Sequence, residues 1–181
     1  MGDNLIYGKE IIQEIKNTSS EFSGAKIFCY KVDNPEEYGV ASIVNKKIIA
    51  IKEKPKNPDS NLAIMGVYIY DKNVFEYIKN INYSERGELE IPDINKLYLK
   101  NKTLKYKIIS SKEKWMDIGT PQNLLFAASF IHDVEVKNKT IIACLEEIAY
   151  KNKYITFEQL KMLASNKNDY GRYISSIKEV K

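Results

Sequence analysis

Alternation of apolar and polar positions is clearest between Lys47 and Asp71, KIIAIKEKPKNPDSNLAIMGVYIYD. Ile48, Ile49 and Ile51 make a first β-branched run. Val67, Tyr68, Ile69 and Tyr70 give a second run its strand character. The stretch therefore predicts two strands joined by a short Pro-containing loop, in the plainest reading a hairpin with a polar tip. Pro55 cannot donate to a ladder and biases Lys54 towards extended geometry. That sets Glu53 and Lys54 side by side at a strand end. Gly66, inside the second strand, marks a bulge or a close approach of another group to the backbone.

The rest of the chain follows the same two periods. Gly2-Asp3-Asn4 reads as the carboxyl end of a strand. Ile11, Ile12, Ile15 and Phe22 stand at helical spacing over residues 9–22, with Gly24 as the C-cap signal. AKIFCYKV (25–32) and VASIV (40–44) predict strands, separated by the loop DNPEEYG. Asp71 is read as the cap of a short helix, KNVFEYIKNI. Residues 83–86 form a polar turn. A helix follows with Pro92 in its first turn. LKYKIIS, from Leu104, alternates as a strand, and Trp115–Gly119 is a second strand end. Thr120 then caps a long helix that has Pro121 at its first position and runs past Ile131. Short helices follow at Glu146–Tyr150, at Thr156–Ala164 with a Thr156/Gln159 capping box, and at Gly171–Glu179.

Composition narrows the class. The 181 residues are 44% hydrophobic and 29% charged, which suits a globular chain with a sizeable core. The net charge is +4, but no block of five basic residues exists, so a nucleic-acid partner is not implied. The mild positive balance suits an anionic small substrate. Cys29 and Cys144 lie in no metal-ligand spacing and read as buried free thiols. His132 is the only histidine, which excludes a His-rich metal site. No signal peptide and no membrane-spanning run is visible, so no membrane partner is expected and the location expected is the cytoplasm.

Two carboxylates, Asp3 and Asp117, fall beside glycines at strand boundaries. Converging, they could hold one Mg²⁺, with phosphate oxygens and water completing its octahedron. Taken singly, each reads first as a turn or helix N-cap aspartate. Lys54 and Arg86 are the cations placed near phosphate, Lys as a point charge and Arg as a fork. Glu53 could accept from sugar hydroxyls. Trp115 and Tyr68 could stack on a sugar ring, or simply pack in the core.

The segments GDNLIYG (2–8), DNPEEYGVA (33–41), KEKPKNPDSNLAIMGVYIYD (52–71), RGELEIPDIN (86–95) and WMDIGTPQNLLFAASFI (115–131) resemble the glucose-1-phosphate thymidylyltransferase family. So do IACLEEIAYKNKYI (142–155) and GRYISSIKE (171–179), all in collinear order. The resemblance implies an α/β, Rossmann-like nucleotidyltransferase fold: a mixed sheet flanked by helices, with a C-terminal helical extension. It implies transfer of a thymidylyl group from dTTP to glucose 1-phosphate, with Mg²⁺ as cofactor, giving dTDP-glucose and pyrophosphate. Asp3 and Asp117 resemble the family's metal-binding aspartates. Asn4, Gly39, Glu53 and Ile64 resemble its sugar-contacting positions, with Tyr68 close by. Lys54 and Arg86 resemble the residues that hold the sugar phosphate. Ile64 stands where the family more often has Val, and Met65 where it usually has Thr.

Family members begin earlier, with strands and a Gly-rich loop that binds the triphosphate. The expectation is therefore a partial nucleotidyltransferase domain over 1–138, without those N-terminal strands, and a helical extension over 139–181. The partners expected are a second copy of the chain or the missing half. A non-catalytic assembly module, and an enzyme using another nucleoside triphosphate, remain the alternatives.

Overall fold

The computed structural model describes residues 3–18, 21–84, 87–164 and 168–179. It divides into two compact units, Met1–Gly119 and Thr120–Lys181.

The first unit is built on a five-stranded sheet. Its members are β2 (Ala25–Lys31), β3 (Gly39–Val44), β4 (Lys47–Glu53), β5 (Leu62–Tyr70) and β6 (Leu104–Ile108). They lie in the order β4-β3-β5-β2-β6. All neighbours are antiparallel except β2 and β6, which makes the sheet mixed, as expected. A separate antiparallel ribbon pairs β1 (Asn4–Tyr7) with β7 (Lys114–Asp117). Helices α1 (Glu10–Lys16), α2 (Val74–Lys79) and α3 (Ile91–Lys100) complete the unit.

Strand alternation sorts the core. Ile27, Cys29, Ala41, Ile51 and Leu62 pack as one cluster, with Leu99 and Tyr106 against it. Phe28, between Ile27 and Cys29, faces the other way and joins Ile11, Met65 and Ile109. A third cluster holds Ala25, Ile94 and Tyr98, with Tyr70 and Tyr77 against it. Cys29 and Cys144 are both buried and unbridged.

Several local expectations change. The strands around Pro55 form no hairpin, because β3 lies between β4 and β5. Lys54 adopts φ +39° rather than an extended conformation. Its N–H donates to Tyr38 O at 3.1 Å, so the chain turns back onto the preceding loop. Asp3 precedes strand β1 rather than ending one. Helix α1 stops at Lys16 with Asn17 as C-cap, far short of residue 22. Thr18 Oγ1 donates back to Glu14 O as the chain leaves the helix. Gly24 is consequently no C-cap. It sits at φ +98°, and a Cβ there would lie 2.2 Å from Thr103 O. Asn73, not Asp71, is the N-cap of α2. Asp71 instead accepts from Gly24 N, Tyr98 Oη and Asn73 N, pinning β5 to the start of β2 and to α3.

The second unit is helical: α4 (Pro121–Asn138), α5 (Leu145–Lys151), α6 (Phe157–Leu163) and α7 (Asp169–Ser176). Thr120 Oγ1 accepts from Asn123 N, and Thr156 and Gln159 form the expected capping box. Cys144, Leu160 and Ile174 are the centre of its core. This compact unit starts at Thr120, so α4 groups with the tail. Glu135 of α4 accepts from Ile142 N through its side chain and from Thr140 N through its carbonyl, which ties α4 to the tail.

Candidate functional site

The antiparallel register of β1 and β7 sets Asn4 opposite Asp117 and Ile6 opposite Trp115. Ile118 N donates to Asp3 O at 2.7 Å, which extends the pairing to the residue before β1. Asp3 and Asp117, 114 positions apart in sequence, thereby come to the same end of one ribbon. Asp117 Oδ1 accepts from Gly119 N at 2.9 Å. A Cβ on Gly119 would lie 3.0 Å from Asp117 Oδ1 and 4.0 Å from Asp3 Oδ2. The two carboxylates thus face a common space beside Gly119, and any side chain there would intrude on it.

Asn4 is held on both sides of its carboxamide. Its Oδ1 accepts from Trp115 Nε1 at 2.7 Å and from Gly66 N at 3.1 Å. Its Nδ2 donates to Asp3 Oδ1 at 2.9 Å. Gly66 is therefore a close approach, one of the two outcomes expected for a strand glycine. A Cβ there would lie 2.5 Å from Asn4 Nδ2.

A second group gathers at the adjoining ends of β3 and β4. Gly39 pairs with Glu53, and a Cβ on Gly39 would lie 2.8 Å from Glu53 Oε2. Glu53 also acts on Tyr68. Burial first, then the Glu53 charge and Cys29, push the Tyr68 phenol up to about 12. Ile64 packs with Tyr68 against the first core cluster.

Tyr38 joins the two groups, and sequence reasoning passed over it. Its carbonyl accepts from Lys54 N, and its ring lies 5.2 Å from that of Trp115. Burial first, then the Asp117 charge and Glu37, raise its phenol above the ordinary tyrosine value. The only signal in the sequence was its place directly before Gly39. Lys54 is exposed at the same corner. Arg86 lies outside the described residues. Among the described residues no group of three or more His, Cys, Asp or Glu side chains could hold a metal ion. Nor, among them, is any helix long and apolar enough to cross a membrane.

Comparison with known proteins gives the chain's relatives. The chain is 41% identical over 177 residues to a glucose-1-phosphate thymidylyltransferase of Neisseria meningitidis, an alignment that covers 96% of this chain. It spans 62% of that relative's length. A Bacillus anthracis protein described as a putative glucose-1-phosphate thymidylyltransferase, crystallised with sucrose, superposes with a TM-score of 0.61 at 45% identity. That superposition covers 71% of this chain and 51% of the other. UDP-glucose pyrophosphorylase with UDP-glucose superposes with a TM-score of 0.62 over 72% of this chain and 54% of the other. At 20% identity this last likeness speaks to the fold alone. Residues 1–134 match the nucleotidyl transferase family, and the chain belongs to that family.

Proposed function

We propose that this chain serves the transfer of a thymidylyl group from dTTP to glucose 1-phosphate, giving dTDP-glucose and pyrophosphate. The observation that carries the reading is the meeting of Asp3 and Asp117 beside Gly119, in a chain whose relatives bear that name. Two carboxylates and no softer donor fit a hard cation, Mg²⁺, whose other positions would be filled by phosphate oxygens and water. When bound, the ion would neutralise charge that develops on the transferring phosphoryl group.

The remaining roles belong to the chain itself. The sugar phosphate attacks the α-phosphorus of dTTP through an oxygen, and the bond to pyrophosphate breaks. No covalent intermediate is needed, so the chain's work is orientation and charge. Glu53 accepts from sugar hydroxyls in the space that Gly39 leaves open. Asn4, Ile64, Tyr68 and Trp115 border the sugar. Lys54 and Arg86 supply positive charge for its phosphate. A location in the cytoplasm and assembly with a second chain complete the reading.

The test is pyrophosphate release from dTTP and glucose 1-phosphate. It is run with this chain alone and with the chain mixed with the part of the Neisseria meningitidis relative that it does not match. Asp117→Ala is expected to lower turnover about 100-fold or more. Turnover by Asp117→Ala equal to that of the unmodified chain would remove the metal role. UTP or CTP consumed in preference to dTTP would change the nucleotide and keep the reaction.

A further inference from the structure

Trp115 is the single tryptophan of the chain, and its indole N–H is directed at Asn4 rather than at either aspartate. An indole N–H can only donate. Its acceptor is Asn4 Oδ1, which takes a second bond from Gly66 N–H. With two donors on one side, the carboxamide has one chemically consistent orientation: oxygen towards Trp115 and Gly66, nitrogen away from them. The Nδ2–H that results donates to Asp3 Oδ1. That bond leaves Asp3 Oδ2 as the oxygen beside Gly119 and the Asp117 carboxylate. The indole is itself held, with the Tyr38 ring at 5.2 Å and the Tyr30 ring at 6.0 Å.

We infer that Trp115 is a positioning residue that orients the Asp3 carboxylate through Asn4, and so sets how strongly the Asp3–Asp117 pair binds a divalent cation. The inference rests on the metal reading of those two aspartates. Outer partners that hydrogen-bond ligating carboxylates commonly govern metal affinity, because they fix which lone pairs are presented. Asn4 is such a partner of Asp3, and Trp115 acts one bond further out, by fixing the Asn4 carboxamide. Trp115→Phe keeps an aromatic ring between Tyr30 and Tyr38 and removes the donor together with part of the ring.

Two readouts test it, neither of them turnover. The first needs no metal. In the ¹⁵N-labelled chain the single indole N–H gives one resonance, and Asn4→Ala is expected to shift it and speed its exchange with water. An unmoved resonance with unchanged exchange would overturn the relay at its first link. The second readout is Mn²⁺ affinity, followed by the paramagnetic resonance of free Mn²⁺. Trp115→Phe is expected to weaken binding about tenfold. The double variant Trp115→Phe/Asn4→Ala should bind no more weakly than Asn4→Ala alone, because both act through one bond chain. Additive losses would mean that Trp115 works by another route. Affinity abolished by Asp117→Ala yet untouched by Trp115→Phe would overturn the relay and leave the metal reading standing. Affinity that Asp117→Ala leaves intact would remove the metal reading, and the relay with it. Should Trp115→Phe fail to fold by circular dichroism, the indole resonance in Asn4→Ala still decides.

Discussion

At the residue scale, Gly66 is constrained by the candidate site itself. A methyl group there would meet Asn4 at 2.5 Å, well inside contact distance. The end of a flexible side chain could swing away at little cost, but Asn4 is fixed by three hydrogen bonds, from Trp115, from Gly66 and to Asp3. Moving it would break them and disturb Asp3 as well. Gly66→Ala is therefore expected to cost about 1–3 kcal/mol in urea unfolding. Adding Asn4→Ala should recover part of the loss, since the two positions are in contact and their effects are coupled. A double variant less stable than either single one would count against a clash at this point. The sequence marks Gly66 as a bulge or a place of close approach, because a glycine among β-branched and aromatic strand residues gives up side-chain packing and frees room beside the backbone. It does not name Asn4 as the visitor, 62 positions away. Lys54 departs from its expected geometry for a related reason. The bias before proline is local, whereas its N–H is bound to Tyr38 O across a neighbouring loop.

At the scale of elements, β5 carries the most varied duties. Its Leu62 and Met65 fill two core clusters, its Gly66 receives Asn4, and Asp71 at its end accepts from Gly24 N and Tyr98 Oη. Tyr68 and Tyr70 stack at 5.8 Å, and Tyr70 and Tyr98 at 5.5 Å. Burial, then the Glu53 charge and Cys29, hold the Tyr68 phenol neutral up to about 12, against about 10 in an unfolded chain. Burial, ahead of the neighbouring charges, also raises Tyr70 and Tyr98. A raised phenol favours the folded state fully below pH about 10, where both states keep the proton. Above that the unfolded chain releases its proton first, so stability falls as pH climbs from 10 towards about 12. The urea midpoint should drop across that window, and that of Tyr68→Phe should drop less. Equal losses in both would show that Tyr68 is not among the groups responsible. Unlike β1, the strands of the five-stranded sheet were legible, because a two-residue period fixes which side chains share a face. Their neighbours were not. A period says nothing about order, which is how β3 came to lie between two strands that adjoin in sequence.

Across the whole molecule, the candidate site depends on one long-range pairing and the helical unit on none. Asp3 and Asp117 each stood at a recognisable strand boundary, but only the register Asn4↔Asp117 brings them to a common end. Their meeting was legible only through family resemblance, since no local signal encodes that register. The helices from Pro121 onward were legible because capping chemistry is local: Thr120 with Pro121, then Thr156 with Gln159. This unit has its own core, in which Cys144, Leu160 and Ile174 are buried with Ile141, Tyr150 and Tyr173 packed around them. Truncating Leu160 to alanine would leave a cavity among these side chains and is expected to cost about 2–5 kcal/mol. Because the cluster draws only on residues after Gly119, the loss should stay within the helical unit. Hydrogen exchange gives the measurement. Amides of α5, α6 and α7 should exchange faster in Leu160→Ala, while those of β2, β3 and β5 keep their protection, as expected when a local opening, not global unfolding, governs exchange. Equal acceleration in the sheet strands would show that the two units unfold as one and that the helical core is not independent.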